Sequence, residues 1–162
     1  MTIVHTAEPT KDELLETYKH LAPITNGISD HASAAANIRR ELKKQWSKTK
    51  FSVTSKSFAM GNSVTVSWTD GPTTRDVERA VTAKYQEGDF DGMTDCYENR
   101  KRGRLFRDLF GGAKYVHETR SISEEFAQAW HVKHRPNETY PIKDTEEWIE
   151  LRRRIWRDEH SS

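Results

Sequence analysis

The sequence is poor in cysteine and in long apolar stretches. Cys96 is the only cysteine among 162 residues, so no disulfide can form within the chain and no zinc site can be built from its thiolates alone. No stretch approaches the roughly 20 apolar residues of a membrane-spanning helix, and residues 1–8 lack the basic flank and apolar run of a signal peptide. We therefore expect a cytoplasmic protein in a reducing compartment, with no membrane partner.

Positive and negative charges nearly cancel. The chain has 26 basic and 25 acidic residues, which give a formal net charge of +1. No overall field therefore attracts nucleic acid or a membrane, and an electrostatic partner must be recognised by a local patch. Only 34% of residues are apolar, but aromatic side chains bury a large area each. The length suits one domain that can bury a core without disulfides or metals.

The hydrophobic pattern predicts an α+β fold. Thr10 and Glu13 have the spacing of a capping box, which indicates that a helix starts there. Further helices and strands are expected in the order α-β-β-α-β-β-α, which favours one antiparallel sheet of about four strands with helices on one face. Extra helices are expected at both termini. We assign residues 1–30 to an N-terminal arm and helix, 31–131 to the α+β domain, and 132–162 to a linker and a C-terminal amphipathic helix.

Two motifs are typical of turns. They consist of Trp68, Thr69, Asp70, Gly71 and Pro72, and of Phe90, Asp91, Gly92 and Met93. The favoured interpretation of the first motif is a buried tryptophan at a strand end, followed by a turn whose polar side chains cap backbone donors. A ligand-facing loop is the alternative for both motifs. A second alternative brings Asp70, Asp91 and Asp95 together as a carboxylate cluster for a divalent cation.

Several short segments also occur in a characteristic order. They are IRRELK at 38–43, KFSV at 50–53, VSWTDGPT at 66–73 and FDGMTDCY at 90–97. In this order they resemble the large polyvalent protein-associated domains, over about residues 33–100 and more weakly over 113–120. The resemblance implies a protein of a phage or conjugative element that acts in the host cytoplasm, because the parent proteins are thought to enter a new host with the DNA. It implies no catalytic residue set.

Motifs of common enzyme classes are missing. The sequence has no P-loop, no G-x-G-x-x-G and no G-x-S-x-G nucleophile elbow. His131 and His134 have a spacing found in zinc sites, but no cysteine pair lies near them. We therefore expect a non-enzymatic protein without a cofactor or a metal. A metal-dependent enzyme that uses the three aspartates is the weaker alternative.

A basic segment at residues 100–107 is the strongest binding feature that the residues themselves indicate. It has five cations in eight residues between two predicted strands. A protruding basic hairpin could contact phosphates or an acidic protein surface, and a solvated loop is the remaining interpretation. The candidate binding cations of this segment and of the second helix are Arg39, Arg40, Lys43, Lys44, Arg100, Lys101, Arg102, Arg104 and Arg107.

These observations and the resemblance together predict a binding protein of a mobile element. We expect counter-defence, in which the protein inhibits a host restriction or CRISPR-type system by occlusion. Direct nucleic-acid binding through the basic hairpin and exposed sheet aromatics is the alternative. The expected partner is accordingly a host defence protein complex, nucleic acid, or both.

Overall fold

The computed structural model describes residues 7–160, with side chains described as far as Arg157. Residues 1–6, most of the predicted N-terminal arm, lie outside the described residues. The fold is a mixed α+β arrangement. In chain order its elements are α1 (Lys11–Thr17), α2 (Asp30–Gln45), β1 (Ser52–Phe58), β2 (Gly61–Thr69), α3 (Thr74–Ala80), α4 (Thr82–Tyr85), β3 (Gly88–Asp91), β4 (Cys96–Asn99), α5 (Arg104–Phe110), β5 (Tyr115–Ser121), α6 (Glu124–His134) and α7 (Glu146–His160).

Polar side chains define where three of the helices begin. The predicted capping box of α1 is confirmed: Glu13 accepts a hydrogen bond from the Thr10 backbone, and the Thr10 hydroxyl accepts one from the Glu13 backbone. Thr73 forms the same arrangement with Asp76 at the start of α3. The Ser123 hydroxyl caps α6. Each cap satisfies backbone donors that have no partner within the helix.

The strands do not form the expected single antiparallel sheet of four strands. β1 and β2 are an antiparallel hairpin, but β5 pairs with β2 in parallel, and the sheet order is β1-β2-β5. β3 and β4 form a separate antiparallel hairpin. The parallel pairing requires a long crossover between β2 and β5. Helices α3 to α5 and the β3–β4 hairpin supply that connection.

One side of the three-stranded sheet packs against helices. α2 contacts β1 and β2, while α3 and α4 contact β5. The same core includes buried residues of α1 and α5, and a smaller apolar cluster joins α6 to α7. None of the described helices is long and apolar enough to cross a membrane. The buried apolar side chains of the sheet are Val53, Val64, Val66, Trp68 and Val116.

A buried amide joins three parts of this core. Asn37 is 1% exposed in α2. Its Oδ1 accepts a hydrogen bond from the backbone N–H of Ala22 at 2.9 Å, and its Nδ2 donates to the carbonyls of Ala22 and Phe110, each at 2.8 Å. The side chain thus fixes the segment after α1 and the end of α5 against α2, because each of these backbone groups would lose its partner without it.

Candidate binding surfaces

The basic segment does not protrude as a hairpin. Residues 104–110 form α5, and two of the five cations are engaged in the fold. Arg100 forms two hydrogen bonds of 2.5 and 2.6 Å with the Asp89 carboxylate, which lower the pKa of Asp89. Arg107 is buried and donates to the carbonyls of Arg100 and Arg102 at 2.6 and 3.2 Å. Burial lowers the pKa of Arg107.

Two of the remaining cations of this segment, Lys101 and Arg104, line a groove of mixed charge. Lys101, Arg102 and Arg104 are exposed. The groove has a volume of about 470 Å³. Three carboxylates lie among its cations, and one of them, Asp108, is 3.9 Å from Arg104. These carboxylates would repel the phosphates of a nucleic acid, so this groove is poorly suited to binding one. Its lining residues are Asp30, Glu87, Asn99, Arg100, Lys101, Arg104, Arg107, Asp108 and Gly112.

The candidate cations of α2 are exposed but partly engaged. Arg39 donates to the carbonyl of Val53 on the edge strand β1. Arg40 donates to Oδ1 of Asn37 at 2.9 Å, and Lys44 lies 3.4 Å from His20 Nδ1. Lys43 is exposed. This group therefore helps to hold α2 against its neighbours, and Lys43 projects into solvent.

The motif at residues 68–72 has a structural role. Trp68 is buried, and its indole N–H donates to the carbonyl of Pro72 at 3.0 Å. Asp70 and Gly71 both have left-handed backbone conformations, with φ of 55° and 60°, and form the turn. The Asp70 carboxylate accepts hydrogen bonds from the backbone and hydroxyl of Ser123, at 2.8 and 2.6 Å. The turn thereby connects the end of β2 to the start of α6.

The motif at residues 90–93 spans the end of β3 and the tip of the β3–β4 hairpin. The Asp91 carboxylate accepts hydrogen bonds from the Met93 backbone and the Thr94 hydroxyl, both at 2.9 Å, which lower the pKa of Asp91. Gly92 is exposed. Phe90 is 58% and Met93 97% exposed. The tip therefore presents two apolar side chains to solvent.

The proposed aspartate cluster does not form. Asp70 is bonded to Ser123, whereas Asp91 closes its own turn four residues before Asp95. Across the residues that the structure describes, no group of three or more His, Cys, Asp or Glu side chains is arranged to hold a metal ion. The metal-dependent alternative is wrong about this site, because the carboxylates of Asp70 and Asp91 each accept hydrogen bonds from separate turns.

The outer side of the three-stranded sheet is the most distinctive surface. Successive strand residues point to opposite sides, so the strand register defines which side chains share this outer side. None of them is buried, and none is an aspartate or glutamate. We call this surface the open face. Its residues are Ser52, Thr54, Lys56, Phe58, Gly61, Ser63, Thr65, Ser67, Thr69, Tyr115, His117, Thr119 and Ser121.

Three rings form an aromatic row on the open face, namely Phe58, Tyr115 and His117. The ring centroids of Phe58 and Tyr115 are 6.4 Å apart with an angle of 18° between planes, and those of Tyr115 and His117 are 6.2 Å apart at 10°. Gly61 of β2 leaves room for Lys114 beside these rings, since a Cβ there would lie 2.7 Å from the Lys114 side chain. The rings therefore lie in nearly parallel planes.

The β3–β4 hairpin extends the aromatic row. The Tyr97 ring meets Tyr115 edge to face at 5.6 Å, and its hydroxyl donates to the carbonyl of Lys114 at 2.5 Å. The Lys114 ammonium lies 5.0 and 5.5 Å from the ring centroids of Tyr97 and Tyr115. Phe90 pairs with Tyr97 in the hairpin, so both rings lie on the same side of it. A cation is thus held at this end of the open face.

The opposite end of the open face has a second cation. Ser52, Ser67, Thr69 and Ser121 line a depression of about 460 Å³ there, together with Lys50 and two aromatic neighbours. The open face therefore runs between Lys50 at one end and Lys114 at the other, with Lys56 between them on β1. Hydroxyl side chains occupy most of the remaining positions.

Glu118, the acidic residue of β5, lies on the core-facing side of the sheet rather than on the open face. Glu118 pairs with Val66 in the strand register and points away from the open face. Its Oε1 is buried and has no hydrogen-bond partner among the described residues. Burial, and secondarily the charge of Glu78, raises the pKa of Glu118 to about 7.

The open face is not among the sites that the sequence predicts, although the strand sequences contain part of its pattern. Ser or Thr alternates with Val along β2 and in the first three residues of β1. Such alternation predicts a polar side for each strand. Only the register shows that the three polar sides are one surface and that the acidic residue of β5 falls on the other side.

A comparison with protein families identifies the chain's relatives. The model of large polyvalent protein associated domain 29 matches residues 29–123, which is more than half of the chain. The chain belongs to this family, as its sequence motifs predict. No curated protein and no solved structure matches it significantly.

Proposed function

We propose that this member of the large polyvalent protein associated domain 29 family is a non-enzymatic binding protein that acts in counter-defence. The family implies a phage or mobile-element context. In this proposal the protein covers a surface that a host restriction or CRISPR-type system needs. That surface belongs either to the defence complex or to the nucleic acid on which it acts.

The observation that supports this proposal is the open face. It presents an aromatic row without any carboxylate, and none of its side chains is buried. Exposed surfaces that are depleted of charge and enriched in aromatic rings are typical of binding sites. The nearby tip of the β3–β4 hairpin adds the exposed side chains of Phe90 and Met93.

A binding role also agrees with the contacts of the motif residues. Asp70 and Asp91 hold turns, and Arg107 holds backbone carbonyls. The alternative of nucleic-acid binding through a basic hairpin loses its geometric basis, because the segment forms a helix and Arg100 and Arg107 are engaged. The open face takes the place of that hairpin as the candidate contact surface.

The test measures protection of incoming DNA in cells that express a panel of restriction and CRISPR-type systems. The wild-type protein should raise phage plating or plasmid transfer at least tenfold against one system. The double variant Phe58→Ala/His117→Ala should lose this effect. The control Val132→Ala/Ile142→Ala removes exposed apolar side chains outside the sheet and should retain it. Absence of protection, or full protection by the Phe58/His117 variant, would refute the proposal.

A further inference from the structure

We infer that the open face binds single-stranded nucleic acid. This inference names the ligand of the surface proposed above and rests on that proposal. It depends on three properties of the open face, namely its charge, its rings and its hydroxyl groups.

The charge of the open face suits a polyanion. None of its thirteen residues has a carboxylate, whereas Lys56 lies on it and Lys50 and Lys114 lie at its two ends. The whole chain has a net charge of only +1. Phosphates would therefore be attracted to a surface that has cations and no carboxylates of its own. The groove beside α5 differs, because both cations and carboxylates line it.

The aromatic row suits unpaired bases. Phe58, Tyr115 and His117 lie in nearly parallel planes, with centroids 6.2 and 6.4 Å apart. Bases of a single strand can stack on such rings, whereas bases inside a duplex are already stacked and paired. We therefore expect the face to prefer a single strand to the same sequence in a duplex.

The hydroxyl groups favour nucleic acid over a protein partner. Ser and Thr fill eight of the thirteen positions of the open face. The cores of protein–protein interfaces are depleted of serine. A hydroxyl group both donates and accepts hydrogen bonds, so it can pair with any base edge or phosphate oxygen. Binding should therefore depend little on base sequence.

Fluorescence anisotropy with a labelled 20-nucleotide oligo-dT, and with its duplex with oligo-dA, tests the inference on the full chain. At low salt the single strand should bind at least tenfold more tightly than the duplex. About three phosphate contacts, from Lys50, Lys56 and Lys114, predict a slope of log K against log salt of about −2 for a single strand. Lys56→Gln should make that slope shallower by about 0.7.

Variants of the open face distinguish base stacking on the aromatic row from nonspecific electrostatic binding. Phe58→Ala and His117→Ala should each weaken oligo-dT binding at least fivefold, because each removes one stacking ring. Phe58 is 42% exposed and His117 is exposed, so both variants should fold, which circular dichroism checks. The matched control is Lys101→Gln/Arg104→Gln in the groove beside α5, which should leave the affinity unchanged.

Three results would overturn the inference: no oligo-dT binding at low salt, equal affinity for the duplex, or full affinity in the folded ring variants. The cellular assay then distinguishes the two proposals. If oligo-dT binding fails but the Phe58/His117 variant still abolishes protection, the open face binds a protein and only this inference falls. If oligo-dT binds through the rings but no defence system is inhibited, counter-defence falls and the ligand assignment stands.

Discussion

Replacement of Glu118 by glutamine should change how stability depends on pH. The carboxyl group of Glu118 faces the core, its Oε1 has no partner among the described residues, and burial raises its pKa from 4.5 to about 7. Between these two values the folded state binds more protons at this site than the unfolded state. The free energy of unfolding therefore falls as pH rises through this range.

The size of the effect follows from the pKa shift. A change from 4.5 to about 7 corresponds to at most roughly 3.5 kcal/mol, at about 1.4 kcal/mol per pKa unit. Solvent screens a partly buried carboxylate, so we expect about 1–2 kcal/mol. Glu118→Gln is neutral at every pH and should be more stable than the wild type by this amount above pH 7. The two proteins should have similar stability near pH 4.5.

Urea unfolding at half-unit steps from pH 4.5 to pH 8.5 measures this difference. Glu78→Gln removes the second cause of the shift and should move the loss of wild-type stability to lower pH. Glu125→Gln, in which an exposed glutamate of α6 is changed, should follow the wild-type profile. Parallel profiles for the wild type and Glu118→Gln would refute the reasoning, as would a difference that grows toward acid pH.

Three further substitutions test the contacts that define the fold. Asn37→Ala should lower the free energy of unfolding in urea by about 3–5 kcal/mol, since it leaves buried backbone groups without partners; a loss below about 1 kcal/mol would contradict this role. Gly111→Ala should give little folded protein by circular dichroism, because Gly111 has φ of 96° and a Cβ would lie 2.5 Å from backbone atoms of α2; a wild-type melting curve would contradict it. Asp70→Ala should lower the free energy of unfolding by about 1–3 kcal/mol and speed amide hydrogen exchange at the start of α6, because it removes both hydrogen bonds to Ser123. Unchanged exchange there would contradict this role of Asp70.

Local features of the fold were predictable from the sequence. The starts of α1, α3 and α6 follow from Thr10, Thr73 and Ser123, because a cap involves residues only three positions apart. The β1–β2 hairpin also follows from alternation and a short turn. In each case the interacting residues are close in the chain, so the pattern contains the information that determines the structure.

The sheet order and α5 could not be predicted in the same way. β5 pairs with β2 across more than forty intervening residues, and no local pattern indicates that pairing. In the basic segment the apolar residues Leu105, Phe106, Leu109 and Phe110 have helical spacing, but the density of cations favoured a hairpin. Arg107 is buried because the carbonyls of Arg100 and Arg102 accept its hydrogen bonds, and only the folded chain brings these groups together.

The candidate site was predictable only in part. Only the nucleic-acid alternative expected exposed aromatic rings on a sheet, and Phe58 and His117 of the open face are such rings. The expected basic patch consisted of cations within residues 100–107 and 39–44, whereas the lysines near the open face are separated along the sequence at positions 50, 56 and 114. Such a surface depends on strand register, and register is determined by the whole sheet.

The bond between Asp70 and Ser123 has a consequence for modular assembly. The family match ends at residue 123. The Ser123 hydroxyl accepts a hydrogen bond from the backbone N–H of Phe126 in the first turn of α6 and donates one to Asp70 inside the family region. The direction in which the polypeptide leaves the domain is therefore specified from within the domain. Different segments joined after this position would begin along the same axis, provided that a serine or threonine stands at the junction.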